Sequence, residues 1–415
     1  MSRSLKIDPK FNAKVKSALK RSSFPSQNAL ATELGLSRST VNNFMTGKPV
    51  DYLNFVEICQ KLGLDWKSIS TFEDFASESG NLQRDWGNAP DISIFYGRTE
   101  ELARLEQWIV KEKCRIVALS GMGGIGKTSL AVKLARKIQD KFEYVIWRSL
   151  HHTPSILELL AELIEFLSNG QQTNLPETVN SRITYLIKYL EQHRCLLVLD
   201  DWENILVSSD TAGQYRQGYE DYRNLLKRVG EEQHQSCLLI TSLDSSLEIS
   251  LMAGKTQPVR SMQLGSLGEA AKEIFREKGL LEESRWQTLI EFYGGNALCL
   301  NLVSTRIRDV FDGKISEFLD STLVFREIRN LLDAHFERLS DLEKSIMYIL
   351  ARQCQPVALR NLRKELTVSG VTDAVDSLLR RSLIEKIPVQ DETCFTLQSV
   401  VMAYTTKLPQ AQLVN

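Results

Sequence analysis

The segment GMGGIGKT at 121–128 fits the pattern G-x-x-x-x-G-K-[ST]. Its glycines let the backbone curl so that successive N–H groups face one anion, and the helix expected after it adds a positive end. Lys127 would reach the β- and γ-phosphates of a nucleotide, and the Thr128 hydroxyl would bind Mg²⁺. The sequence therefore predicts a phosphate site made of Gly121, Gly123, Gly124, Ile125, Gly126, Lys127, Thr128 and Ser129.

A second pattern supplies acidic groups about 70 residues downstream, where the apolar run CLLVLD is followed by another aspartate. Asp200 would hold the Mg²⁺, and Asp201 would polarise a water molecule for attack on the γ-phosphate. A third run, CLLIT, ends at Thr241. Its hydroxyl is expected to face the γ-phosphate, because parallel sheets bind ligands at the carboxyl ends of their strands. The alternative role for Thr241 is to cap a following helix.

The strands that must position these side chains are predicted from short apolar runs. These runs lie at 115–120, 144–148, 195–200 and 237–241. Strands this uniformly apolar are buried on both faces, which predicts a parallel sheet covered by helices. Amphipathic segments such as 156–167 would supply those helices. The predicted fold class is therefore α/β, with the parallel sheet of a P-loop NTPase as its core.

The first fifty residues carry a strong positive charge. They hold nine basic and two acidic side chains, 9 − 2 = +7, whereas the rest of the chain sums to 42 − 50 = −8. Such a distribution suggests an N-terminal module that meets a polyanion.

Within this module, NALATELGLSRSTVNNFMTG at 28–47 resembles a phage-repressor-type helix-turn-helix. Gly35 would form the turn, Ser37 would cap the second helix, and Val41 with Phe44 would face the core. A DNA-binding module of this type would work best as a dimer or a higher assembly. A protein-docking or purely structural role is the alternative. The side chains expected to point toward the major groove are Arg38, Ser39, Thr40, Asn42 and Asn43.

The composition excludes several classes of protein. With 43% hydrophobic residues, 25% charged residues and a net charge of −1, the chain is neither collagen-like, coiled-coil nor wholly disordered. No apolar run approaches the ~18 residues of a membrane span, and the basic N-terminus lacks the apolar core of a signal peptide. The seven cysteines never fall at C-x-x-C spacing, so a zinc site is not expected. We expect a cytoplasmic, multidomain protein with no membrane partner.

The residues from about 93 to 405 resemble the NB-ARC class of nucleotide switches, within the STAND group of signal-transduction ATPases. Besides the phosphate loop, the similar segments are FYGRTE at 95–100, YGGNAL at 293–298 and a winged-helix-like segment at 340–405. The resemblance implies ATP and ADP as ligands, with Mg²⁺. It further implies an ADP-bound resting state and an ATP-bound state that self-assembles.

The same resemblance assigns further contacts to single residues. The backbone at Gly97 and Arg98 would contact the adenine, and Ala297 would pack on the base where the family carries a proline. Gln398 would face the β-phosphate, because Leu397-Gln398-Ser399 falls where the family carries Met-His-Asp. A neutral amide bonds a phosphate more weakly than the family's histidine, so a looser ADP-bound lock is expected. Leu243 replaces the family's sensor arginine, so slow hydrolysis is expected.

The predicted organisation has six parts. They are a helix-turn-helix, all-α domain at 1–70, a linker at 71–92, the nucleotide-binding domain at 93–265, a helical subdomain at 266–325, a winged-helix subdomain at 326–409 and a tail at 410–415. The family normally carries C-terminal sensor repeats, and only about ten residues follow the winged helix. The expectation is that the sensor is missing or resides in a separate protein.

Three functional hypotheses remain at this point. The first is a nucleotide switch in transcriptional control or bacterial defence, with the N-terminal module as its effector. The second is a turnover enzyme that hydrolyses ATP continuously, which the missing sensor arginine disfavours. The third is a DNA-binding regulator whose nucleotide site is a relic, which the intact phosphate loop and the Asp200-Asp201 pair disfavour.

Overall fold

The computed structural model describes residues 4–22, 24, 26–34, 36–48, 50–64, 66–72, 82–172, 174–207, 213–389 and 392–408. The chain divides into two compact units, Met1–Asn81 and Leu82–Asn415. Within the described ranges, no helix is both long enough and apolar enough to cross a membrane.

The first unit combines short helices with a small antiparallel sheet, in which the first strand pairs with the other two. Its apolar side chains form one core around the two helices of the 28–47 segment. The elements are β1 (Ser4–Ile7), α1 (Asn12–Arg21), α2 (Gln27–Glu33), α3 (Arg38–Met45), β2 (Val50–Asp51), α4 (Tyr52–Lys61), α5 (Trp66–Ile69) and β3 (Ser70–Phe72).

Two features of this unit agree with the sequence analysis and one does not. Ser37 Oγ accepts a hydrogen bond from the Thr40 amide at 3.1 Å, so it caps α3 as expected, and Val41 and Phe44 are fully buried. Gly35 lies outside the described residues. The small sheet was not predicted, because strands of two to four residues are too short to give an alternating pattern.

The second unit is built on a six-stranded sheet of order β4-β6-β7-β8-β5-β9, in which every neighbouring pair is parallel. The four strands predicted from apolar runs are confirmed as β5 to β8. The two edge strands were not predicted, and the first of them falls inside the expected linker. The strands are β4 (Gln83–Asp85), β5 (Ile116–Ser120), β6 (Tyr144–Ser149), β7 (Cys195–Asp200), β8 (Cys237–Ser242) and β9 (Val259–Gln263).

Helices cover both faces of this sheet. Alternate residues of the central strands enter two separate apolar cores, with Leu197 in one and its neighbour Val198 in the other. This double burial is the physical reason that the strands are apolar on both faces, apart from the polar residues at their carboxyl ends. The helices are α6 (Thr99–Glu106), α7 (Lys127–Ile138), α8 (Ile156–Leu167), α9 (Val179–Gln192), α10 (Asp221–Glu231) and α11 (Leu247–Met252).

Two mainly helical segments follow the sheet, the helical segment (266–325) and the C-terminal segment (326–408). They share one apolar core, to which Met122 of the phosphate loop also belongs. The small sheet of the C-terminal segment has the order β10-β12-β11 and is antiparallel.

The helical segment contains α12 (Ala271–Lys278), α13 (Trp286–Phe292), α14 (Ala297–Phe311) and α15 (Ile315–Leu319). The C-terminal segment contains α16 (Arg326–Phe336), α17 (Asp341–Gln353), β10 (Val357–Ala358), α18 (Leu359–Glu365), α19 (Val371–Arg380), β11 (Ile384–Val389), β12 (Glu392–Leu397) and α20 (Ser399–Thr405).

Candidate nucleotide site

The phosphate loop joins the end of β5 to the start of α7, at the carboxyl edge of the parallel sheet. Gly126 has a φ of +103° directly before the first residue of α7, a backbone conformation that side chains other than hydrogen rarely allow. Gly124 has a φ of +77°, and a Cβ there would lie 2.6 Å from the Cβ of Leu298. Both glycines are therefore required by the path of the backbone.

Lys127 folds back over the loop. Its Nζ donates to the carbonyl oxygens of Gly121 at 2.8 Å and Met122 at 3.2 Å. Burial lowers the pKa of the Lys127 ammonium, and the carboxylate of Glu203 is the main charge that opposes this shift. The amine is thus held at the inner edge of the loop, beside the carboxylates that follow β7.

The two predicted Mg²⁺ ligands lie next to each other. Thr128 Oγ1 donates a hydrogen bond to Asp200 Oδ1 at 2.9 Å, and Thr241 Oγ1 donates to the same carboxylate oxygen. Burial, with the charge of Asp201, raises the pKa of Asp200 to about 6. Thr241 also accepts from the Asp201 amide at 3.2 Å, so its described contacts are with these two aspartates.

Two further carboxylates, those of Asp201 and Glu203, line the cavity beside the loop. Asp201 has a φ of +62°, and its side chain accepts a hydrogen bond from Ser149 Oγ at 3.0 Å. Glu203 is 9% exposed and accepts from the Leu243 amide at 3.1 Å. Burial raises the pKa of Glu203 above its ordinary value. Glu203 was not predicted as a site residue, although its place three residues after Asp200 is visible in the sequence.

The loop borders a cavity of about 560 Å³, a volume typical of small-molecule and cofactor sites. Phosphate-loop residues and the acids Asp201 and Glu203 line one part of it, and largely apolar residues line the other. The apolar and mixed part is formed by Ile94, Phe95, Tyr96, Leu267, Ile274, Ala297 and Leu298. Predicted site residues that line the cavity are Arg98, Gly123, Gly124, Ile125, Gly126, Lys127, Thr128, Ser129, Asp201 and Ala297.

Arg98 ties three segments together near the apolar part. Its guanidinium donates to the carbonyl oxygens of Gly265 at 2.7 Å and Ile125 at 3.2 Å, and it pairs with Glu101 at 2.7 Å. Gly97, with a φ of +58°, passes so close to Ala270 that a Cβ would lie 2.4 Å from the alanine Cβ. These contacts fix the backbone at 97–98 against the loop and the start of the helical segment.

The helical segment also contacts the phosphate loop directly. Asn296 caps α14 by accepting from the Cys299 amide at 3.1 Å, and its Nδ2 donates to the Gly123 carbonyl at 2.8 Å. The Leu298 amide donates to the Gly124 carbonyl at 3.0 Å. The YGGNAL segment, singled out in the sequence, therefore positions the loop as well as lining the cavity.

Gln398, at the start of α20, is not among the residues that line this cavity. It borders a separate cavity of about 230 Å³, together with Gly294, Ser382 and Glu385. A Cβ on Gly294 would lie 2.7 Å from Gln398 Oε1. In the structure this side chain lies beside the Gly294 backbone, and the phosphate contact that the resemblance implied stays a prediction.

A histidine that the sequence analysis did not single out contacts the phosphate loop. His335, in the last turn of α16, is buried, and its Nε2 accepts from the Gly123 amide at 3.0 Å. Burial lowers the pKa of His335 to about 4, and the nearby charge of Lys127 acts in the same direction. No local sequence signal could have found this contact, because the two residues are 212 positions apart.

A buried ion-pair network joins the end of the sheet to the C-terminal segment. Asp244 Oδ2 pairs with Arg338 at 2.6 Å and with Arg381 at 3.4 Å. Arg381 in turn pairs with Glu343 at 3.1 Å, and Glu343 accepts from Ser377 Oγ at 2.6 Å. The guanidinium groups near the sensor position therefore come from the C-terminal segment rather than from residue 243.

In the first unit, the five predicted DNA-facing residues all lie on α3. Arg38, Ser39 and Asn42 are exposed, and Thr40 and Asn43 are half-buried. Thr40 Oγ1 lies 2.8 Å from Ser37 Oγ, so this hydroxyl is engaged in the helix cap.

In the second unit, a glycine loop opens a helix at the carboxyl edge of a parallel sheet, and Thr128 and Asp200 meet beneath it. This arrangement defines a nucleotide-binding domain of the P-loop class. Residues 98–216 match the sequence model of the NB-ARC domain.

Relatives with curated sequences extend this result. The chain is 42% identical over 406 residues to an uncharacterized WD repeat-containing protein from Nostoc sp. The aligned region covers 90% of this chain and 32% of that protein. It is 26% identical over 163 residues to a probable disease resistance protein from Arabidopsis thaliana, covering 38% and 22% of the two chains. The chain thus spans about a third or less of the length of these relatives.

Solved structures are more distant. A signal transduction ATPase with numerous domains and a tetratricopeptide repeat sensor, from Pyrococcus horikoshii, is 19% identical with a TM-score of 0.36 over 78% of this chain and 44% of that one. The Aeropyrum pernix Orc1 protein, solved in complex with DNA, is 16% identical with a TM-score of 0.35 over 77% and 94%. Because both TM-scores are below 0.5, these structures add no evidence on function.

Proposed function

We propose that the chain is a switch controlled by ADP and ATP, in which the nucleotide sets how the helical and C-terminal segments are held against the phosphate loop. The observation that carries this proposal is the set of direct contacts on Gly123 and Gly124 from Asn296, Leu298 and His335. A ligand that moves the loop must change these contacts, so its phosphates act on both segments.

The polar part of the cavity has the chemistry that a magnesium nucleotide requires. Thr128 and Asp200 provide a hydroxyl and a carboxylate 2.9 Å apart, and oxygen ligands of this kind suit Mg²⁺. Bound there, the ion would neutralise phosphate charge. Lys127 would leave the loop carbonyls for the phosphates, and the backbone amides at the start of α7 would hold them.

Slow hydrolysis is a further part of the proposal. Asp201 and Glu203 both line the cavity, and either carboxylate can polarise a water molecule. Leu243 offers no guanidinium to the γ-phosphate, which removes a charge-assisted hydrogen bond from the transition state. We therefore expect steady-state phosphate release far below that of a continuous ATPase, and rapid release would favour the turnover-enzyme alternative.

The first experiment identifies the nucleotide that co-purifies with the chain, after denaturation and ion-exchange chromatography. We expect stoichiometric ADP from the wild type and an empty protein from Lys127→Ala. Lys137→Ala is the matched control, because this lysine lies on the same helix, is half-exposed and pairs with Glu106 away from the loop. A wild-type chain that is empty and binds neither added ADP nor ATP would refute the switch.

A second proposal concerns the first unit, which we propose binds DNA and acts as the effector in transcriptional regulation or defence. It is supported by the charge of +7 in residues 1–50 and by the exposed polar face of α3. Arg38→Ala should weaken retention on DNA, and retention should fall steeply with salt because phosphate contacts release counterions. Absence of retention at low salt would leave protein docking as the role of this unit.

The remaining partners follow from the switch proposal. Triphosphate binding should expose surface of the helical and C-terminal segments, which supports self-assembly in that state. A separate sensor protein could then stabilise either state. Light scattering with each nucleotide tests self-assembly directly.

A further inference from the structure

The peptide groups of Gly123 are held from two sides. Its amide donates to His335 Nε2 at 3.0 Å, and its carbonyl accepts from Asn296 Nδ2 at 2.8 Å. The fit is tight, since a Cβ on Gly123 would lie 2.8 Å from His335 Nε2. The C-terminal segment therefore occupies one backbone amide of the phosphate loop.

The Gly123 amide lies beside the part of the loop that the lysine contacts. In loops of this type the backbone amides cradle the inner phosphates, and the lysine reaches the β- and γ-phosphates. Here the Lys127 amine contacts the carbonyls of Gly121 and Met122, the residues just before Gly123. His335 thus meets the loop where a third phosphate would be drawn in.

His335 is suited to be a hydrogen-bond acceptor at this point. Because burial and the charge of Lys127 lower its pKa to about 4, the imidazole is neutral at physiological pH. The neutral ring has one nitrogen with a free lone pair, and the contact with the Gly123 amide assigns this role to Nε2. The imidazole can therefore take the place of a phosphate oxygen without adding charge.

The position of His335 is fixed by its neighbours. Arg338 follows it by three residues and pairs with Asp244 at 2.6 Å, at a site where Asp244 is only 2% exposed. This ion pair ties the end of α16 to the residues after β8. The pair therefore holds the backbone that carries His335 close to the loop.

We propose that His335 makes the site prefer a nucleoside diphosphate to a triphosphate, because its imidazole holds the Gly123 amide that a third phosphate would require. This inference rests on the proposed nucleotide switch. His335 is a positioning residue, since it acts through the loop and not on the reacting atoms. Binding of a triphosphate must displace it, whereas a diphosphate leaves it in place.

The test measures the affinities of the nucleotide-stripped chain for Mg-ADP and for a non-hydrolysable ATP analogue by calorimetry. His335→Ala should shift the ratio of the two affinities toward the triphosphate by about tenfold, the effect of one hydrogen bond. His335→Gln should keep a ratio close to that of the wild type, because its Oε1 can accept from the same amide. His234→Ala is the control, because this buried histidine lies near the start of β8, at the opposite end of the strand.

Each outcome bears on the inference. An unchanged ratio in His335→Ala, with both nucleotides bound, would overturn the role of His335 and leave the switch standing. Failure of the wild type to bind either nucleotide would overturn both. If His335→Ala does not fold, Arg338→Ala provides the second test, since it leaves the imidazole but removes the ion pair that positions it. A smaller shift in the same direction is expected from Arg338→Ala, and no shift would refute the inference.

Discussion

At the residue scale, the Asp200 carboxylate is buried, accepts hydrogen bonds from two hydroxyl groups and lies near a second carboxylate. It is 5% exposed and accepts hydrogen bonds from Thr128 and Thr241, and the charge of Asp201 works against its ionisation. A buried anion without a cation costs free energy, and a divalent ion at this position would repay the cost. If Asp200 holds Mg²⁺ as proposed, its burial favours metal binding and lowers the stability of the metal-free chain.

We predict that Asp200→Asn removes the magnesium dependence of nucleotide binding without lowering the stability of the metal-free chain. The amide needs no such desolvation, and its oxygen can still accept from both threonines. The measurement is urea unfolding in EDTA, followed by tryptophan fluorescence, with nucleotide titrations in the presence and absence of Mg²⁺. Asp91→Asn is the control, since that side chain is 82% exposed. A metal-free variant clearly less stable than wild type would contradict this view of the site.

The lowered pKa of His335 predicts how the stability of the chain depends on pH. Its pKa is lowered to about 4 in the folded chain from the ordinary value of 6.5. A group with a depressed folded pKa contributes stability that is present above pH 6.5 and is lost as the pH falls toward 4, because the unfolded chain takes up the proton first. The charged groups that act on the imidazole are Lys127, Asp244, Arg338 and Arg381.

Between pH 7.5 and pH 5, the free energy of unfolding should therefore fall by about 2 kcal/mol more in the wild type than in His335→Gln. The glutamine does not titrate, so the difference between the two proteins isolates the imidazole from the other groups. Urea unfolding at several pH values measures it. Parallel pH profiles for the two proteins would show that His335 is not held neutral by burial.

At the element scale, the N-terminus of α14 has two separable functions. Asn296 Oδ1 caps the helix, and Nδ2 donates to the Gly123 carbonyl. Asn296→Ser keeps an acceptor for the cap but loses the amide donor, and it adds no charge to this buried site. Asn296→Ala loses both contacts, and a lost cap costs about 1 kcal/mol.

We predict that Asn296→Ser keeps most of the thermal stability of the wild type but binds ADP at least several-fold more weakly. Asn296→Ala should lose both stability and affinity. Thermal unfolding and ADP titration of the two variants measure the two functions. Equal ADP affinity in the wild type and Asn296→Ser would mean that the contact with Gly123 does not support the loop.

Elements were predictable from the sequence where burial acts on every residue. Strands β5 to β8 are enclosed on both faces, so their residues are apolar except toward the carboxyl ends, and their predicted bounds were close to the observed ones. The edge strands β4 (QRD) and β9 (VRSMQ) carry polar residues because one side of each is open, and they were missed. Thr128 and Asp200 were predictable because a short motif and a strand end bring them together. His335 was not found, since its role depends on a tertiary contact, whereas Glu203 was overlooked although it lies only three residues after Asp200.

At the scale of the whole second unit, the network of Asp244, Arg338, Arg381 and Glu343 holds the C-terminal segment against the sheet. Arg381 and Glu343 are 2% and 1% exposed in their side chains. Replacing a buried ion pair by apolar groups is often neutral, whereas removing one partner commonly costs 3–5 kcal/mol, because a buried charge is left unpaired. The network is therefore better suited to fixing one arrangement than to adding stability.

We predict that Asp244→Asn loosens the C-terminal segment from the sheet, because the amide cannot neutralise Arg338 and Arg381. Hydrogen exchange should become at least several-fold faster in α16 and α19, while the central strands β5, β7 and β8 keep their protection. Asp376→Asn is the matched control on α19, because it breaks an exposed pair with Arg380, and exposed pairs contribute little. If Asp244→Asn also gains affinity for the triphosphate analogue relative to ADP, the ion-pair network and His335 belong to one closed state. If its exchange rates equal those of Asp376→Asn, apolar packing alone holds the C-terminal segment. The ion pairs would then have no part in the switch.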